Sequence, residues 1–317
     1  MSRENPRNLS ASVRHKLLNL SHQRGEPFEQ VAVAYALERM LYRLSLSDNA
    51  NRFVLKGAAM FRYWLPNIIR PTLDMDFLGI GFYDVNGVVS AFREALSVSV
   101  PDDGMIFDVE SLKGEMIREG NQYHGVRVSL QSSLTTAILN LQFDVGFGDA
   151  VYPKPSLEEF PSLLSLPCGK IAVYSRYSTV AEKFQAMTNL GLRNSRIKDY
   201  FDIWTLSRHF PFDGVILRKS IEATFSRRNT PLPSTMPLGL SVEFGEAPDK
   251  GAQWKGFLRR IGAESEKLFP EIVADIADFL DPVLFPSDGK LPSVLKWNPK
   301  TVRWNDKSAS GKAGRIN

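Results

Sequence analysis

Four stretches of the chain carry residue types at spacings that could do chemistry. The first is Leu73-Asp74-Met75-Asp76-Phe77. Side chains alternate along a strand, so Asp74 and Asp76 share one face about 7 Å apart while Leu73, Met75 and Phe77 share the other. Two carboxylates so placed repel each other, and a divalent cation relieves the conflict, since Mg²⁺ favours one or two carboxylates together with phosphate oxygens. Two solvated aspartates on an exposed strand would give the same short pattern.

The second stretch, Leu139 to Val145, puts Leu139, Leu141, Phe143 and Val145 on an apolar face and Asn140, Gln142 and Asp144 on the other. Asp144 is thereby a candidate third carboxylate, or a plain polar-face residue. Three acids on neighbouring strands suit two-metal phosphoryl chemistry, with Asp144 as base or third ligand. The third stretch is Gly57-Ala58, where an apolar strand turns into a helix. Such a turn directs backbone N–H groups and a helix's positive end toward a phosphate, although a tight turn alone can also require glycine. The fourth lies downstream. Lys183 runs among Val180, Phe184 and Met187, either snorkelling or held as a point charge for a triphosphate. Arg196-Ile197-Lys198-Asp199-Tyr200-Phe201-Asp202-Ile203 spaces Arg196 with Asp199 and Lys198 with Asp202 as in helix salt bridges.

The elements that must position these residues can be read from periodicity. Leu9 to Leu46 is helical and broken by Gly25 and Pro27; Arg52 to Lys56 is a short strand, followed after Gly57 by a helix that ends at Trp64 before Pro66. Thr72 to Ile80 alternates as a strand, Val85 to Leu96 is helical, and Phe107 to Leu112, Val126 to Gln131 and Ala137 to Val145 are strand-like. Beyond the Pro-rich stretch Tyr152 to Pro167, helices are expected over Thr179–Leu190, Arg196–Arg208, Val215–Arg227, Gln253–Gly262 and Glu271–Leu280. Thr179 followed by Glu182 has the spacing of a capping box just ahead of Lys183. The expected fold is α+β, a mixed β-sheet flanked by helices with a helical C-terminal domain. The boundaries are N-terminal helices over 1–50, a core sheet over 51–165, helices over 166–285 and a basic, flexible tail over 286–317.

Composition narrows the classes. The 317 residues, 43% hydrophobic, suffice for a sizeable core, and no apolar run approaches the roughly 18 residues needed to span a bilayer. Met1 to Asn19 alternates polar and charged residues, so a cytoplasmic protein without membrane association is expected. The single cysteine, Cys168, excludes an internal disulfide framework, and four scattered histidines show no zinc spacing, which leaves oxygen ligands for any metal. The net charge of +4 is concentrated in Pro286–Asn317, with seven Lys or Arg against two Asp, and Trp297 and Trp304 suggest that part of this segment docks.

Taken together, Phe53 to Ile203 resembles the AbiEii family of nucleotidyltransferase toxins within the polymerase-beta-like superfamily. Gly57 with Asp74 and Asp76 resembles the family's first motif, and Arg70-Pro71-Thr72 the basic and hydroxyl residues leading into it. Phe143-Asp144-Val145 fits the second motif; Val180, Lys183 and Ala186 fit the third, with Arg193 a looser match. Arg196 to Ile203 fits the fourth in full. The residue after the motif glycine is usually serine or glycine, and Ala58 removes that hydroxyl. The resemblance implies a nucleotidyltransferase-like sheet and a toxin that moves a nucleoside monophosphate from an NTP to an RNA acceptor, tRNA for some relatives. Mg²⁺ (or Mn²⁺) would sit on Asp74, Asp76 and Asp144. Lys183 would steady the triphosphate and Asp199 would orient Lys183 or the nucleotide. Gly57, Ala58, Arg70, Thr72, Arg196, Lys198 and Asp202 would complete nucleotide binding, and a cognate, AbiEi-like antitoxin from the same operon would be the partner. The alternatives are a small-molecule or protein hydroxyl as acceptor, or a degenerate binding module; the presence of Asp74, Asp76, Lys183 and Asp199 speaks against the last.

Overall fold

Short apolar runs, long hairpins and an amphipathic helix pair build the first part of the chain. The computed structural model describes residues 6–306 other than 67, 69, 82–83, 120–122 and 266. Its strands are Phe53–Lys56 (β1), Asp74–Gly79 (β2), Ile106–Glu119 (β3), Tyr123–Leu134 (β4), Ala137–Phe147 (β5), Ser156–Glu159 (β6) and Lys170–Val173 (β7). They form a seven-stranded mixed sheet in the order β3-β4-β5-β2-β1-β7-β6, in which β2 runs parallel to β5 and β1 parallel to β7. The helices of this part are Pro6–Arg24 (α1), Phe28–Leu46 (α2), Ala59–Trp64 (α3) and Val85–Ser97 (α4).

Alternation decides which sheet face is covered. Phe53, Leu55, Met75, Phe77, Val126, Val128, Phe143 and Val145 are buried in one core with Val31, Tyr35 and Met40 of α2 and Phe92 of α4. The Phe92 ring wedges between Phe53 and Phe143, with centroids 5.6 and 4.9 Å away; burying each such ring contributes about 1.5–3 kcal/mol. Because Met75 and Phe77 turn into this core, Asp74 and Asp76 must turn the other way. Beneath the helices a buried ion pair joins Arg43 of α2 to Asp103 at 2.6 Å, and Tyr35 donates to the Asp103 carbonyl.

The expected strands are present but longer: the β3–β4–β5 hairpins run ten or more residues each, with a register shift in β3 between Asp108 and Lys113. Two strands, β6 and β7, lie where only a Pro-rich connection and the start of the helices were expected. Each has four residues, and β7 reads exposed, buried, intermediate, buried, too short a pattern to stand out from its surroundings.

The chain forms two compact units, Met1–Asp149 with Pro155–Tyr174, and Ala150–Lys154 with Ser175–Asn317. The second consists of helices Arg176–Leu190 (α5), Ile197–His209 (α6), Gly214–Arg227 (α7), Val242–Glu246 (α8), Pro248–Ile261 (α9) and Phe269–Leu284 (α10), with a small sheet of Phe212–Asp213 (β8), Leu295–Asn298 (β9) and Arg303–Asp306 (β10). The capping box expected at Thr179 is not the start of α5. Ser175 caps that helix by accepting from the Ser178 N–H, and Thr179, already helical, turns its hydroxyl back to the Ser175 carbonyl; a hydroxyl one turn inside a helix has that acceptor within reach.

Within the segment expected as a tail, residues 295–306 form the β9–β10 hairpin. Trp297 is buried and donates to the Ser207 carbonyl, while Trp304 stacks on Phe279 and donates to its carbonyl. Residues 307–317 lie outside the described part. No helix among the described residues is long and apolar enough to cross a membrane.

Candidate functional site

On the sheet face opposite this core, strand register lines up a row of charges. Arg127 on β4 faces Asp144 on β5, Asp144 faces Asp76 on β2, and Asp76 faces Lys56 on β1. Directly opposed residues point to the same face, so four consecutive strands present the sequence plus, minus, minus, plus. One step along, Asp74 faces Gln142. The three predicted acids are therefore brought together by pairings that no local pattern contains.

Each acid has its own setting. Asp74 accepts from the Thr72 hydroxyl, which also reaches the Asp74 carbonyl at 3.0 Å, so the predicted Thr72 orients the first carboxylate. Asp76 packs on Gly57: a Cβ at Gly57 would lie 1.9 Å from an Asp76 carboxylate oxygen. Gly57 also has φ of +72°, where side chains are strained. Both conditions demand glycine, and Ala58 then leads directly into α3. Arg70 is buried beside this strand and donates to the Pro71 carbonyl.

Asp144, the expected base or third ligand, is engaged at both oxygens. Arg127 donates from Nε to Oδ1 at 2.9 Å and from Nη2 to Oδ2 at 2.8 Å, the bidentate fork that guanidinium and carboxylate favour. The hydrogen bond to Asp144 chiefly raises the Arg127 pKa above its ordinary value, with Glu115 and Asp74 adding to it against partial desolvation. The amide of Gln142, turned over, would accept from the same guanidinium at 3.2 Å.

Two oxygen-bearing carboxylates on one half-buried face, Asp74 and Asp76, fit a hard divalent ion that completes its shell with water and phosphate oxygens. Among the described residues no three His, Cys, Asp or Glu side chains gather as a preformed cage.

Lys183, Arg196, Asp199 and Asp202, expected to act together, meet within the second unit. Lys183 on α5 donates to Asp199 at 2.7 Å and pairs with Asp202 at 2.8 Å, both on α6, and Arg196 at the α6 N-terminus donates from Nε to Asp199 at 2.7 Å. Asp199 and Asp202 are 0% exposed and Lys183 13%. Burial opposes the charge on Lys183, but the two carboxylates outweigh it and raise its pKa. Burial likewise opposes ionisation of Asp199, and Lys183 and Arg196 reverse the balance and hold its carboxyl below the ordinary range. The expected Arg196–Asp199 pair forms. Lys198 is exposed, and the partner expected for it, Asp202, is bound by Lys183 instead; the cross-helix ammonium reaches a buried carboxylate that a surface lysine cannot.

Sequence reasoning passed over three charged residues, Lys56, Arg127 and Asp149. Lys56, buried at the end of β1, bonds Asp149 at 2.7 Å and lies over the Tyr174 ring. A lysine closing an apolar strand just before Gly57 was the available signal; Arg127 and Asp149 had none, because their partners are set by strand register and by chain return.

Two solved structures are similar to this chain. One, the crystal structure of a candidate nucleotidyltransferase from H. pylori, is 15% identical and covers 79% of this chain and 92% of its own, with a TM-score of 0.45. The other, JHP933 from Helicobacter pylori, is 15% identical and covers 72% and 91%, with a TM-score of 0.39. No curated protein matches. The profile described as nucleotidyl transferase AbiEii toxin, type IV toxin–antitoxin system, matches residues 39–281, most of the chain. That match spans well over half of the chain, and this chain belongs to the AbiEii family of nucleotidyl transferase toxins.

Proposed function

We propose that the chain transfers a nucleoside monophosphate from an NTP to a hydroxyl of an RNA acceptor, tRNA foremost, using a divalent ion held by Asp74 and Asp76. The observation that supports this reading is the packing of the Asp76 carboxylate on the positive-φ Gly57, which brings together the turn proposed to take phosphate and the acid proposed to hold the ion. A glycine turn lets backbone come close to phosphate, so the β- and γ-phosphates rest over Gly57-Ala58. When bound, Mg²⁺ or Mn²⁺ would neutralise phosphate charge and lower the pKa of the acceptor hydroxyl. The protein's own contribution is position: Thr72 fixes Asp74, and Gly57 leaves room for Asp76. The acceptor oxygen bonds to the α-phosphorus, the bond to pyrophosphate breaks, and the hydroxyl proton leaves to water. Catalysis of this kind rests on alignment and charge neutralisation.

Membership of a type IV toxin–antitoxin family implies an antitoxin partner; we take it to be AbiEi-like and the site of action to be the cytoplasm. The test incubates the protein with Mg²⁺, each α-labelled NTP in turn and total cellular RNA, beside Asp76→Ala. Label on RNA with the wild type alone supports the reading. Label on no RNA, or equal labelling by Asp76→Ala, rejects it.

A further inference from the structure

The charge row says where the acceptor must come from. In-line displacement puts the attacking oxygen and the leaving pyrophosphate on opposite sides of the α-phosphorus. With the leaving phosphates over Gly57 at the end of β1, the acceptor approaches across Asp76 from the β5 and β4 side. The first cation met there is Arg127. Its Nε and Nη2 are fixed by Asp144, its Nη1 makes no hydrogen bond to any described residue, and its side chain is 34% exposed. Lys113 of β3, opposite Ser129, exposes a second cation on the same face, and Glu115, opposite Arg127, is exposed without pairing to it.

We propose that Arg127 binds a backbone phosphate of the acceptor strand beside the attacking hydroxyl, with Asp144 as the positioning residue that aims its guanidinium. A carboxylate gripping the Nε–Nη2 edge of a guanidinium leaves the Nη1 end directed and fully charged, which is how a planar cation is made ready for a phosphate. A small uncharged hydroxyl compound would have no use for such a group; a polynucleotide end does. This inference rests on the transferase reading above, and deepens it by naming the acceptor's phosphate as the recognised feature.

The experiment measures two affinities on the full chain. One is for a fluorescein-labelled RNA hairpin with a single-stranded 3′ end, across a salt series; the other is for an NTP with Ca²⁺ in place of Mg²⁺. Arg127→Met should weaken RNA binding about 10- to 100-fold and lower the salt slope by about one, while NTP affinity stays within about twofold. Arg127→Lys, keeping the charge without the fork, should recover part of the loss. Asp144→Asn should weaken RNA binding, and adding it to Arg127→Met should cost little more, because the pair acts as a unit. Unchanged RNA affinity in Arg127→Met, an equal loss of NTP affinity, or full additivity of the two substitutions overturns the proposal and leaves the transferase reading standing. A wild type that binds neither RNA nor NTP overturns both.

Discussion

Gly57 and Lys183 show how single residues here serve structure and site together. Substituting Gly57 with Ala places a Cβ within 1.9 Å of an Asp76 oxygen at a φ of +72°. Gly57→Ala should therefore abolish label transfer and cost about 1–3 kcal/mol in urea unfolding. Lys183 bridges two carboxylates that are 0% exposed, so Lys183→Met should cost about 3–5 kcal/mol by removing the buried ammonium they share. Loss of transfer in that variant would not separate contact with substrate from unfolding. Lys183→Arg keeps the charge, and transfer lost at near-normal stability would assign the ammonium to substrate. The pH dependence follows from the same network. Asp199 ionises below the ordinary range in the folded protein, so the unfolded chain takes up that proton first as pH falls. Its stabilisation is present above about pH 4 and is lost below. Lys183, raised from 10.5, stabilises at neutral pH and up to that value, and the contribution fades as pH climbs past it. Asp199→Asn should flatten the acid limb of the stability curve; an unchanged slope below pH 4 would refute the assignment.

At the scale of elements, the hairpin β9–β10 is part of the second unit's core. Trp297 meets Phe279 edge-on at 4.9 Å, and Phe279 also packs on Phe212 and Trp304. Trp297→Ala should cost about 3–5 kcal/mol by thermal or urea unfolding, a large effect for a segment of such polar composition. That composition is also why it reads as a tail: Lys, Pro, Ser and Gly dominate, and only the two tryptophans signal docking. The strands that bear the acids were legible because alternation is a local property, and Asp74, Asp76 and Asp144 each stand on a clear two-residue period. The short β6 and β7, four residues each, are too brief to show a period. Arg127 was invisible for another reason. Its meaning depends on being opposite Asp144, a relation 17 residues apart that only the β4–β5 register creates. The helix start was misplaced at Thr179 because Ser175, the actual cap, precedes an equally plausible Thr and Glu pair.

At the scale of the whole molecule, the division into two units does not follow the chain in one cut. Residues 150–154 leave the sheet unit, join the helical unit and return. The Tyr152 carbonyl accepts from the hydroxyls of both Ser178 and Ser220, each about 1% exposed. A fragment beginning at residue 175 removes that shared acceptor and should be less stable by about 1–3 kcal/mol for each hydroxyl left without it. Thermal melts of this fragment, with and without residues 150–154 joined by a short linker, would show the difference. Equal melting would mean that the segment contributes nothing.

The same threading bears on the order in which the chain is made. Tyr152 is synthesised 68 residues before Ser220, which at about 5–20 residues per second is a delay of roughly 3–14 s. In that interval β6 and β7 emerge and can close the sheet, leaving a five-residue loop anchored at both ends and awaiting its partners. The helical unit thus includes a segment made long before its hydroxyl partner at Ser220, so a nascent chain halted before Ser220 would carry the acid-bearing sheet face well before it carried a completed second unit.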